Sequence, residues 1–185
     1  MDKILDNQDV STVYINGANC YKIHVIAQPL HDMNIKTHIA GEHNEDMMIA
    51  TKVKHDTLFV GARFQPLFVA DNDKLSAHKV MSIEMEVFLP EHLAVYVVSD
   101  IAQVQAQGLF KDVIIELRDG SCVLSKFTGN AKVNTVNGDI TVQTNYAKIE
   151  AETKSGERFL EPLTLGVNEL ILKSIRGDIK VSKTE

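Results

Sequence analysis

The sequence has no long apolar run, few cysteines, no excess of positive charge and no segment that reads as a helix. Each absence removes a class of protein. No apolar stretch approaches the roughly 20 residues that cross a bilayer as a helix. Cys20 and Cys122 alone make neither a disulfide framework nor a zinc pattern. The net charge is −6 with the signs interspersed, and such a surface repels phosphate backbones, which sets nucleic-acid binding aside. The opening MDKILDNQDV has no basic segment followed by an apolar core, so it does not read as a signal peptide. Nor does INGANC, with Asn19 before Cys20 and no apolar segment upstream, read as a lipoprotein site. Taken as it begins, the chain is expected in the cytoplasm, although a form with its export signal removed would read the same way.

What the sequence does have is a repeat. TVNGDITVQT (135–144) and SIRGDIKVSK (174–183) share Gly-Asp-Ile-x-Val. Gly120, Gly138 and Gly156 are spaced by 18 residues, and Gly177 follows 21 later. A three-residue insertion within 162–167 brings Gly177 into the same column. Other columns then align: Val113, Ala131, Ile149 and Leu170; Ile115, Val133, Ala151 and Leu172; Leu117, Thr135, Thr153 and Ser174. A fixed period of this size marks a repeat architecture. Within each unit apolar and polar residues alternate, as in DITVQT and KIEAET, which is the strand period and not the helical one.

Units this small cannot bury an apolar face alone but can when stacked. The expected fold is therefore all-β, a parallel β-helix or β-solenoid with about 18 residues per coil and two facing sheets. Ala131, Val133, Ile140, Val142, Ile149 and Ala151 are expected inside, and Cys122 reads as a small core residue. The glycine column is expected at tight turns with φ > 0. The chain is read as one domain, with residues 83–185 as regular coils. Residues 1–82 are less regular: STVYI, YKIHVIA, NIKTHIA, MMIATKV and TLFVGARF read as strands, and ADNDKLSAHK as a loop. They form either irregular coils or a small antiparallel cap.

IEMEVFLPEHLAVYVVS, NAKVNTVNGDITV and the closing SIRGDIKV resemble the bacterial putative-adhesin family of parallel β-solenoid proteins, over roughly Ile83 to Val181. The resemblance implies an adhesive role, brings no catalytic residue set, and suggests an exported or cell-surface location.

Candidate chemistry is sparse. THIAGEHNED gathers His38, Glu42, His43, Glu45 and Asp46, but the spacing fits no standard zinc motif and reads as a solvated acidic loop. The remaining histidines, His24, His31, His55, His78 and His92, are scattered. Asp139, Glu157 and Asp178 each follow a column glycine and are expected to stack about 5 Å apart. Such a column reads as exposed turn acids, as a weak calcium site relieving like-charge repulsion, or, last, as a glycosidase pair. No nucleophile elbow or phosphate loop is present. An ice-binding Thr-x-Thr ladder fails because Thr141 has no threonine two residues on. Arg176-Gly177-Asp178 spells an integrin motif but is expected to be a repeat turn.

The leading expectation is a non-enzymatic adhesin-like solenoid without a cofactor. It would bind a protein, a glycan or another copy of itself through sheet faces or edges. The alternatives are a polysaccharide-acting β-helix enzyme and a purely structural stalk.

Overall fold

A computed structural model describes residues 2–5, 10–41, 44–66 and 81–184. The loop expected over 70–79, together with Glu42, His43 and His78, lies outside the described residues. Among those described, fifteen strands and one short 3-10 helix (Asn44–Asp46) carry the fold, which is all-β. The strands are β1 (Asp2–Leu5), β2 (Thr12–Asn16), β3 (Cys20–Gln28), β4 (Met33–Gly41) and β5 (Met47–Lys54). They continue as β6 (Thr57–Phe64), β7 (Met81–Pro90), β8 (Ala94–Ser99), β9 (Gln103–Asp119) and β10 (Cys122–Asn137). The last five are β11 (Ile140–Thr144), β12 (Ala147–Ser155), β13 (Arg158–Leu160), β14 (Asn168–Arg176) and β15 (Ile179–Lys183).

All fifteen join one mixed, branched sheet. The first branch runs β1-β4-β7-β3-β9-β10-β11-β15-β13. The second runs β5-β6-β2-β8-β9-β10-β14-β12. The long strands β9 and β10 serve both, bending near Gly108 and Gly129, which hold φ of +112° and +136°. Inward residues of both branches, such as Leu124 and Val142 from one and Val97 and Val133 from the other, join a single buried cluster. Cys122 is fully buried there, and burial pushes its thiol up to about 12, so it is an inert core residue.

Among the described residues of 1–82, parallel and antiparallel pairings both occur. β2 and β3 pair in parallel with β8, β9 and β7, while β1 with β4, β4 with β7 and β5 with β6 are antiparallel. The 18-residue step is seen directly in the parallel ladder. Val104 faces Cys122 and Cys122 faces Ile140; Val113 faces Ala131.

Beyond that point the spatial order departs from the sequence order. Ala131 lies beside Leu170, not Ile149, and Ile140 lies beside Ile179. The last unit, β14 and β15, is inserted between β10–β11 and β12–β13. Burial explains the exchange. Leu170, Leu172 and Ile179 are fully enclosed and Val181 nearly so, whereas the unit left outside offers the half-buried Ile149 and Ala151 and the exposed Arg158. At roughly 25 cal/mol per Å² of apolar surface removed from water, the richer unit belongs inside.

Candidate functional site

The glycine column occupies one turn edge, in the spatial order Gly120, Gly138, Gly177, Gly156. Its physical cause is not the one expected. Of the four, Gly177 alone has a left-handed φ, at +153°. What glycine supplies is proximity: a Cβ on Gly138 would lie 2.0 Å from the Gly120 carbonyl oxygen, and one on Gly177 would lie 2.2 Å from that of Gly138. The turns nest too closely for any side chain.

Hydrogen bonds bind each turn to its neighbour. The hydroxyls of Thr135, Ser174 and Thr153 donate to the carbonyls of Gly120, Gly138 and Gly177, at 3.2, 3.2 and 2.9 Å. Asp139 accepts the backbone N–H of Asp178 at 2.8 Å, and Asp178 accepts that of Glu157 at 2.8 Å. The acidic column is thus a ladder of carboxylates receiving amide donors, and Glu157 neighbours Asp178, not Asp139. Among the described residues, no group of three or more His, Cys, Asp or Glu is placed to hold a metal ion. That covers His38, Glu45 and Asp46 as well as the column.

A second polar row runs beside it. Arg176 Nε donates to Asn137 Oδ1 at 2.6 Å, and Asn137 Nδ2 donates to Asp119. The bond from Asn137, with the Arg118 guanidinium beside it, holds the Asp119 carboxyl below its usual range. In Arg176-Gly177-Asp178, therefore, the arginine is tied to one neighbouring turn and the aspartate bonds both flanking turns. The tripeptide is not on a free loop tip. His31, His55 and His92 are exposed, and the last two take left-handed turn conformations. His24 is half-buried on β3, and burial lowers its pKa.

The outer face of the second branch carries a different surface, which the repeat does not reveal because it lies mainly on the less regular strands. Parallel registry places Phe59, Tyr14 and Tyr96 side by side with Ile114 beyond Tyr96, and the antiparallel pair of β5 and β6 places Lys52 beyond Phe59. The Tyr14 ring centroid lies 5.4 Å from that of Phe59, tilted by 44°, and 5.2 Å from that of Tyr96, edge-on at 82°. Tyr96 donates its hydroxyl to Glu116 at 2.7 Å. The adjacent outward row is low, with Ala50, Gly61 and Asn16 side by side, and beyond it stands Arg63. A shallow trough of about 460 Å³ results. Further along the same face a second trough of about 440 Å³ is floored by Val98, Val136 and Ile175. The sequence signal for the first was the alternation in STVYI, TLFVGARF and LAVYVVS, whose outward positions hold aromatics where polar residues are usual.

The fold has solved counterparts. A protein from Clostridium sporogenes, described as a putative cell adhesion protein, matches 100% of this chain and 98% of its own, with a TM-score of 0.71 at 15% identity. A putative adhesin from Bacteroides fragilis covers 98% of this chain and 96% of its own at 15% identity, with a TM-score of 0.39. No family model and no curated protein matches the sequence. At such identity the first likeness speaks for the fold alone. No helix among the described residues is long and apolar enough to cross a membrane.

Proposed function

We propose that the chain winds as a parallel β-solenoid and acts as a non-enzymatic, adhesin-like binding protein at a cell surface or after export. Its partner is a protein or glycan engaged through the outer face of the second branch. The observation that supports this most is that face itself. Phe59, Ile114 and Ile175 stand 37–41% exposed on a surface built from paired strands. Scattered apolar residues need no explanation, but Phe59, Tyr14, Tyr96 and Ile114 stand side by side on four neighbouring strands, and a contiguous row of that kind marks a contact surface. The 18-residue parallel registers support the solenoid, and the likeness to the Clostridium protein, described as adhesive, supports the role. The reading invokes neither catalysis nor a cofactor.

The test is retention of beads coated with the protein on bacterial and animal cell layers under flow. A parallel assay measures reducing ends released from polysaccharides. Retention above an albumin control, with no release, is expected. Loss of retention on every layer, or steady release of reducing ends, would overturn the reading.

A further inference from the structure

We propose that the trough beside the aromatic row is a binding site for an anionic polysaccharide, a chain of uronic-acid type; this rests on the adhesin-like reading above and names its ligand. Three observations converge on it.

The first is charge. The trough is bordered by the exposed cations Lys52 and Arg63, and no carboxylate lines it, in a chain of net charge −6. Among the described residues neither cation has a carboxylate partner. Two other sheet-face cations are paired, Lys22 with Glu84 at 2.6 Å and Lys173 with Glu152 at 3.3 Å and Glu150 at 3.7 Å, whereas Lys52 and Arg63 stand together with the trough between them. Arginine in particular binds a carboxylate with two parallel N–H donors.

The second is the row of rings. The face of an aromatic ring is electron-rich and attracts the polarised C–H groups that line one side of a sugar ring. Tyr14 and Phe59 stand on neighbouring strands about 4.8 Å apart, a step close to one hexose residue. Asn16, exposed at the trough floor, adds an amide whose oxygen is held by the Ala18 N–H at 3.0 Å, leaving its N–H₂ to donate to a hydroxyl.

The third is Gly61. At seven of the other glycines an added Cβ would meet a backbone oxygen at 2.4 Å or less, so smallness there is a packing requirement. At Gly61 the nearest atom is Asn16 O at 3.4 Å, an ordinary contact, and its φ lies outside the left-handed region. Glycine also weakens a strand interior. Packing does not explain it there; an open trough between Phe59 and Arg63 does.

A peptide ligand fits less well. The rings and Asn16 stand on β6, β2 and β8, each paired on both sides, so a peptide strand could pair only along the far edge of β5, away from them.

Gel retardation through polygalacturonate, alginate and hyaluronan tests the inference, with carboxyl-reduced polygalacturonate as the neutral control. Wild type is expected to be slowed by at least one acidic polymer and much less by the reduced one, with an effect that fades as salt rises. Gly61→Val should weaken the retardation at least about tenfold while leaving the melting temperature equal or higher, since valine favours strands. Lys52→Gln with Arg63→Gln should remove the difference between acidic and reduced polymer, and serves if Gly61→Val fails to fold. No retardation by any acidic polymer, or equal retardation of wild type and the variants, would overturn the site. Cell retention that persists unchanged in Gly61→Val would refute this site while leaving the adhesin-like reading standing.

Discussion

At the scale of single residues, the two most informative positions are glycines with opposite reasons. Gly138 is small because the neighbouring turn leaves no room: its missing Cβ would sit 2.0 Å from a backbone oxygen that cannot move without shifting the whole turn. Gly138→Val should therefore cost more than the ~1 kcal/mol of an average substitution, by roughly 3 kcal/mol, as overpacking against backbone does. Gly61→Val should cost nothing. Denaturant titration of both variants checks the pair, and a small cost at Gly138 would remove the close-nesting explanation. The glycine column was legible from spacing alone. Its cause was not, because a sequence shows that a side chain is missing but not whether backbone angle or a neighbour excludes it. The carboxylate ladder was equally hidden: Asp139 and Asp178 were visible as a column, but their role as acceptors depends on which turn lies next to which. His24 supplies a pH prediction. Burial depresses its folded pKa below the ordinary 6.5, while Glu86 and Glu84 across the face pull the other way and Lys22 adds to the depression. A base with a depressed folded pKa contributes stability above its unfolded pKa and loses it as pH falls. The melting temperature should decline as pH drops from about 7 through 6. His24→Gln should flatten that limb, leaving the decline below pH 4 that follows from the lowered carboxyls of Asp119 and Glu84.

At the scale of elements, the exchange of the last two units is the feature the repeat could not reveal by period alone. The columns match whether units stack in chain order or not. One residue did carry the signal. Arg158 falls two positions after Gly156, where Ile140 and Ile179 occupy the same column inside. A guanidinium in an inward column is tolerable only at an end of the stack, where it can reach out; here Arg158 Nη1 donates to the Ala151 carbonyl at 3.1 Å. Strand end β12 also alternates Lys148, Glu150, Glu152 and Lys154 outward, a charged dressing typical of edges that must not pair further. Cysteine pairs test the order directly. Asn134 and Lys173 face each other on neighbouring strands, about 4.8 Å apart, within disulfide reach. Asn134 and Glu152 are two strands apart, about 10 Å, and beyond it. Asn134→Cys with Lys173→Cys should oxidise to a bridged monomer; Asn134→Cys with Glu152→Cys should not. The two native thiols are buried and do not interfere. Bridging of the second pair alone would restore chain order.

At the scale of the whole molecule, the all-β class, the parallel stacking of Gly-Asp-Ile-x-Val turns and the inward columns could be read from period and alternation. The N-terminal third could not, because its strands mix parallel and antiparallel partners and β2–β3 slot between elements far away in sequence. The face proposed for binding was missed for the same reason: Phe59, Tyr14 and Tyr96 come together only through pairings that no local pattern announces. On the solenoid reading, the two branches leave one long outer face whose apolar and aromatic residues neither fill the core nor serve the turns. The account stands on that face being the contact surface. Ile114 and Ile175 are 37% and 41% exposed on it and support nothing beneath, so Ile114→Glu with Ile175→Glu alters the surface without touching the core. The deciding measurement is cell-layer retention of this double variant against wild type at equal melting temperature. The account predicts a fall of at least about tenfold, the scale of one lost contact cluster; retention equal to wild type would contradict it.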